Sequence, residues 1–232
     1  MHTQTKPPLQ KLKKHFASVG ACRECELPSG YFPQLRPPGP GYHLGGVVFI
    51  QINPGHIGSL TEQQINKQYK SEYGRENARM KVKDTKYLNK LQKIFINEAS
   101  SDAFKNMRKA FMESMATVWG WPPGKYGKTI ETHGVSLKDV AVMNLAQCPV
   151  PNNAYRHKQL QRCWNKWGYQ QLEILHPSLI VGQGKQVYGS LIEKDLPSDI
   201  QVVEGLHHAD RRSRKTKDRL LEYVRSQVEE NG

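Results

Sequence analysis

Val47-Val48-Phe49-Ile50-Gln51-Ile52-Asn53-Pro54-Gly55 is an apolar run, β-branched at several positions, that stops at an Asn-Pro-Gly turn. A run of this length bounded by turn residues reads as a strand buried on both faces, and such strands usually belong to parallel sheets. Three later segments repeat the pattern, at 140–145 (Val-Ala-Val-Met-Asn-Leu), 178–184 (Ser-Leu-Ile-Val-Gly-Gln-Gly) and 200–206 (Ile-Gln-Val-Val-Glu-Gly-Leu). Helix-like sequence separates each from the next, as a parallel α/β sheet requires. The expected fold class is therefore α/β, with a central four-stranded parallel sheet. In open sheets of this kind ligands bind outside the carboxyl ends of the strands. That rule nominates Asn53, Asn144, the Gly182 to Gly184 turn and the His207-His208 pair.

The chain of 232 residues reads as one domain, long enough to bury a substantial core. Lysine and arginine outnumber the acids 34 to 21, a formal charge of +13. A surplus this large favours polyanions, with nucleic acid ahead of an anionic membrane surface and of a basic but unspecialised protein. No run approaches the ~18 to 20 apolar residues of a membrane span, and Met1 to Gly20 lacks the apolar core of a signal peptide. A monomeric protein of the cytoplasm is expected, with DNA as its partner and no membrane association. Its four cysteines are Cys22, Cys25, Cys148 and Cys163. In that compartment they bind metal or stay reduced more often than they form disulfides.

Taken in order, residues 9–18 read as a short basic helix, and the Pro- and Gly-dense stretch 28–46 as an irregular connection into the first strand. Residues 61–118 are polar and mostly helical in pattern, a long insertion whose apolar stripes (Leu88, Leu91, Ile94, Phe95, then Phe104, Met107, Phe111, Met115) read as core packing. The loop Trp119 to Gly127 is aromatic and glycine-rich, suited equally to base stacking and to a packed hinge. A long amphipathic helix over 154–175 carries Cys163 and stops at His176-Pro177. Last come the basic run Arg211-Arg212-Ser213-Arg214-Lys215-Thr216-Lys217 and a final helix over 218–229. The basic run begins three residues beyond His208, so phosphate contact is expected of Arg211, Arg212, Arg214 and Lys215, with Lys185 a further phosphate contact.

The ordered set of motifs resembles the uracil-DNA glycosylase superfamily and, in its cysteines, the iron-sulfur branch of that superfamily. The resemblance covers most of the chain. Ile52-Asn53-Pro54-Gly55 is similar to the first motif of the mismatch-specific and single-strand-selective branches, which implies that Asn53 positions the attacking water. Asn144 sits where the superfamily reads the pyrimidine edge, and Gln51 and Gly55 complete the expected base-binding set. His208-Ala209-Asp210 falls at the His-Pro-Ser motif, which implies that His208 bonds the base O2. Cys22-x2-Cys25, Cys148 and Cys163 resemble the set that holds a 4Fe-4S cluster, although four thiolates suit tetrahedral zinc equally well by chemistry alone. The fold implied is a three-layer αβα sandwich. The function implied is a monofunctional DNA glycosylase that flips a pyrimidine out of DNA and hydrolyses its N-glycosidic bond in base excision repair.

The residue chemistry is compatible with that reading on its own terms. Cleaving an N-glycosidic bond leaves positive charge on the sugar and negative charge on the departing base, so the site needs a placed water and donors to the base oxygens. The carboxamide of Asn144 matches O4 and N3–H of uracil in one orientation and N4 and N3 of cytosine in the other. No lysine nucleophile falls in the strand-end motifs, so no lyase step is expected. The sequence departs from the family where a Pro-Phe stacking pair is due: His56-Ile57-Gly58-Ser59 follows Gly55. Ala209 and Asp210 also replace the proline and serine of the last motif. These departures raise the alternative of a roomier pocket for a bulky 5-substituted cytosine of phage DNA, hydroxymethylated or glucosylated, in anti-phage defence. The alternative of another class is a non-catalytic binder of lesions or modified bases.

Overall fold

The computed structural model describes residues 5–22, 24, 35–52, 106, 109–110, 112–113, 116, 124–148 and 156–231. Asn53, Gly55, Cys25 and nearly all of the 61–118 insertion lie outside the described residues. Four parallel strands form the centre: β1 (Val47–Gln51), β2 (Ala141–Asn144), β3 (Leu179–Gln183) and β4 (Gln201–Gly205), in the order β2-β1-β3-β4. The helices around them are α1 (Leu9–Gly20), α2 (Gly124–Glu131), α3 (His157–Cys163), α4 (Tyr169–Leu175), α5 (Lys185–Ile192) and α6 (Arg214–Asn231). Each strand falls inside its expected segment and is shorter by one residue or more at its ends. The four-stranded parallel sheet flanked by helices is thus as the apolar runs indicate.

Two cores sit on opposite faces of the sheet, and strand alternation assigns the residues to each. Val48, Ile50, Ala141, Met143 and Ile180 face the larger core, where Phe16 of α1, Trp164 and Leu172 cover them. Val47, Phe49, Val142, Leu179, Val181 and Val203 face the smaller one, closed by Ile130 of α2 and Val224 of α6. β1 and β3 are buried throughout because each has a strand on both sides and helices on both faces. β4 is the sheet edge, and only Val203 and Gly205 of it are buried.

Between α3 and α4 the helix widens into a π-turn, Trp164–Gly168, so the expected single helix is one rod with a bulge. Gly168 makes the bulge possible. A Cβ there would meet the Trp164 indole, which lies over the glycine and is completely buried. The rod ends at His176, whose φ of 46° is left-handed. His176-Pro177-Ser178 is therefore a helix stop at the amino end of β3, as its position before the strand suggests.

The final helix starts earlier than its sequence suggests. Ser213 Oγ accepts from the backbone N–H of Thr216 at 3.3 Å, which caps the helix and draws Arg214 to Lys217 into its first turn.

Two buried histidines tie helices to this frame. The Nδ1–H of His133 donates to Thr129 O at 2.9 Å, while its Nε2 accepts the Leu206 N–H at 3.0 Å, which joins the end of α2 to the end of β4. Burial lowers the pKa of His133, the backbone bonds opposing the shift. His15 of α1 lies edge-on to Trp167, and burial lowers its pKa to about 4, opposed by the Gln170 side chain. A histidine with a lowered folded pKa contributes stability above its unfolded value of about 6.5 and loses it as pH falls through the interval below. His15 alone accounts for about 3 kcal/mol lost between pH 6.5 and 4. Urea melts are expected to show a constant midpoint from pH 8 to 7 and a marked fall by pH 5, a fall that His15→Phe makes shallower. A midpoint independent of pH down to 5 would contradict these assignments.

Candidate functional site

The strand order reverses between β1 and β3, and the carboxyl ends of such a pair form the ligand crevice of an open α/β sheet. A crevice of about 470 Å³ lies there, walled by Ile52, the Gln183-Gly184-Lys185 corner, His207 and the Asp210-Arg211-Arg212 turn. Gly184 is required at that corner. Its φ is 90°, its N–H donates to Gly205 O at 2.9 Å, and a Cβ would come within 3.0 Å of His207 Cβ.

His207 lines the crevice, and its neighbour His208 is exposed, the two rings lying 4.2 Å apart. The Ala209 N–H donates to His207 Nδ1 at 3.2 Å, so the ring proton sits on Nε2. Burial lowers the His207 pKa, against the pull of Asp210, and keeps the ring neutral at pH 7. A neutral imidazole with a fixed tautomer donates a hydrogen bond without carrying charge into the crevice.

Behind the crevice the last residues of three adjacent strands are carboxamides. Gln51 pairs in register with Asn144, and because Ile50 pairs with Gly182, Gln183 continues the same row. All three follow by two positions a residue of the smaller core (Phe49, Val142, Val181), so they belong to one face. Each is 1% exposed, and none of their six side-chain nitrogen and oxygen atoms has a hydrogen-bond partner among the described residues. Leaving a buried polar group unpaired costs ~1–3 kcal/mol, so a row of them is expensive unless a ligand completes it. Gln147 braces the row from below, its Nε2 donating to Asn144 O at 3.1 Å.

The charges at the mouth divide into committed and open. Arg212 Nε donates to both Asp210 oxygens, at 3.0 and 2.8 Å, and its Nη1 pairs with Glu204 at 2.8 Å. This clamp holds the Asp210 carboxyl below the usual carboxylate range and offsets its charge. Arg212 is thereby a strut of the turn. Lys185 and Arg211 line the crevice and are exposed, and Arg214 and Lys215 are exposed on the first turn of α6, where Arg214 Nε lies 4.0 Å from Asp218. A second depression of about 490 Å³ lies at the amino ends of β3 and β4 and includes Glu173, Asp195 and Asp199, the wrong sign for a polyanion.

No family model and no curated protein matches this chain. The expected membership in the glycosylase superfamily, and the repair setting attached to it, therefore have no support from comparison. The cysteines overturn its iron-sulfur branch directly. Cys22, Cys148 and Cys163 form no disulfide among the described residues, and among those residues no three cysteine, histidine, aspartate or glutamate side chains are grouped to hold a metal. Cys163 Sγ instead accepts the backbone N–H of Gln147 at 3.2 Å, and Cys22 and Cys163 pack against the larger core as partly buried side chains. Both the 4Fe-4S cluster and its zinc alternative are withdrawn.

Of the residues expected from the sequence, Gln51 and Asn144 fall in the carboxamide row, and Lys185, Arg211 and Arg212 at the mouth. Asn53 and Gly55 lie outside the described residues. Sequence reasoning nominated the Gly182 to Gly184 turn, which contains Gln183, at a strand end but gave Gln183 no role. The signal was available, since Gln183 is a polar residue closing an otherwise apolar strand, as Gln51 and Asn144 do in theirs.

Proposed function

We propose that this protein binds DNA, takes a flipped pyrimidine into the crevice between β1 and β3, and hydrolyses its N-glycosidic bond to leave an abasic site. The row of buried, unpartnered carboxamides beside a histidine donor carries the reading. A carboxamide matches the adjacent donor and acceptor of a pyrimidine edge, and a base drawn out of the stack brings such an edge with it. Asn144 reads that edge. The Nε2–H of His207 donates to O2 as negative charge develops on the departing base. Water, oriented by Asn53, adds its oxygen to the sugar carbon as the bond to the base breaks, and the water's proton balances the anionic base.

The mouth of the crevice supports a polyanionic ligand. Arg214, Lys215 and Lys217 occupy the first turn of α6, which contains no acidic residue. The helix dipole places positive potential at that end, where Asp218 faces Arg214 and a bound anion would offset the charges of Lys215 and Lys217. A DNA phosphate supplies that anion. Binding is expected to weaken steeply with salt, and Lys215→Ala should lower the slope of log K against log salt by about 1 without changing base preference. A slope unchanged by Lys215→Ala, measured by fluorescence anisotropy from 50 to 200 mM salt, would remove α6 from the interface.

The reading is tested by incubating excess protein with duplexes carrying a single defined pyrimidine and revealing abasic sites by alkaline strand cleavage. Cleavage at that pyrimidine is expected, and none should appear when Asn144→Leu replaces the native chain. Tight binding without cleavage at any base favours a non-catalytic base binder, the second reading that the same carboxamide row permits.

A further inference from the structure

Asn144 and His207 already exhaust the polar edge of an unmodified pyrimidine. Such a base offers three edge groups, O2, the N3 position and the exocyclic group at C4. One carboxamide takes two of them and the histidine donor takes the third. Gln51 and Gln183 then remain, with four side-chain polar atoms that no described residue satisfies. Their position removes the simplest explanation, that they are surface residues turned inward. Each is 1% exposed, each ends a strand that is buried throughout, and Gln183 forms part of the crevice wall. Strands lie ~4.8 Å apart, so three carboxamides in one register row extend about 10 Å across the sheet, wider than one base edge.

We propose that Gln51 and Gln183 are specificity-determining residues that hydrogen-bond a polar substituent on the base, and that the preferred substrate is a pyrimidine carrying a hydroxylated group beyond its edge. This rests on the reading of the crevice as a base pocket. Gln183 lies next to the Gly184 corner at the open side of the row, so it meets the part of the substituent nearest the mouth, while Gln51 lies between it and Asn144. A carboxamide both donates and accepts, which suits a hydroxyl that does the same. Unmodified uracil or cytosine would leave Gln51 and Gln183 buried and unpaired in the complex, and the site selects against them for that reason.

The experiment compares the native chain with Gln183→Leu and Gln51→Met, replacements of similar volume that remove the polar atoms. Anisotropy measures affinity for duplexes carrying cytosine, 5-hydroxymethylcytosine or its glucosylated form at one position, and thermal melts are recorded for each variant. The native chain is expected to bind a substituted duplex at least about tenfold more tightly than the cytosine duplex, one well-made hydrogen-bonded pair being worth 10-fold or more. In Gln183→Leu that ratio falls towards one while the melting temperature stays the same or rises, because an unpaired buried amide is replaced by an apolar group. A structural glutamine gives the opposite pattern, a lower melting temperature with the ratio intact, and that overturns the proposal. Equal native affinity for all three duplexes also overturns it. Base release from the same duplexes separates this inference from the hydrolytic one. Discrimination without release keeps the substituent site and sinks the hydrolase, whereas release that ignores the substituent does the reverse.

Discussion

His207→Ala is expected to slow single-turnover base release about 10²- to 10³-fold, the usual loss when a donor to developing negative charge is removed. The size of the effect follows from the position and protonation of the ring. His207 lines the crevice, the Ala209 N–H fixes its proton on Nε2, and burial keeps it neutral. A neutral donor aimed at O2 strengthens as the base takes on charge, so the loss appears in kcat more than in binding. His208→Ala should change the rate little, since that side chain is exposed. The reverse pattern, a slow His208→Ala beside a normal His207→Ala, would return the role to the residue that motif order favours. His207→Gln, which keeps an N–H donor, should recover part of the lost rate.

Phe49→Ala should cost about 3–5 kcal/mol of stability, the largest effect expected of a single core truncation here. Phe49 is completely buried at the centre of β1. It packs in the smaller core, its ring 5.4 Å from that of His133, the residue that holds Leu206 at the end of β4. Removing the ring leaves a cavity under the sheet that its paired neighbours Val142 and Val181 cannot close without breaking register. For a chain of this length the melting temperature is expected to fall by roughly 6 to 20 °C. Tyr223→Ala, at a half-exposed position on α6, serves as the control and should stay within about 0.5 kcal/mol of the native chain. Equal losses at the two positions would mean that the smaller core does not hold the sheet together.

The fold was legible because its strands are short apolar runs with hard stops. Phe49 and Val181 sit in runs that no amphipathic helix could use, and each run ends in a turn residue or amide. The carboxyl-end rule nominates the ends of all four strands from the sequence, and the strand order places the crevice between β1 and β3. Sequence spacing was less informative where side chains from separate strands meet. The register that aligns Gln183 with Gln51 is a property of the paired sheet, which no local pattern in the sequence encodes. The cysteines show the converse failure. Their spacing is compatible with a metal site, yet Cys163 is turned to a backbone N–H and to the core, an arrangement that packing decides and spacing does not. The basic run is expected to lead into a helix that starts at residue 218, but Ser213 caps it and the helix starts at Arg214, so charge pattern concealed the local capping signal. Arg212 was expected to contact phosphate, and its bonds to Asp210 and Glu204 give it a bracing role in addition.

The most direct test is the identity of what leaves the DNA. Native protein in excess is incubated with a duplex holding one 5-hydroxymethylcytosine, and a matched one holding uracil, and the small-molecule fraction is read by mass spectrometry beside the abasic content of the strand. Free base and abasic site in equal amounts, lost together in His207→Ala, is the expected result. Bound DNA with no free base and no abasic site, under conditions where the protein discriminates between the duplexes, would contradict hydrolysis in this crevice.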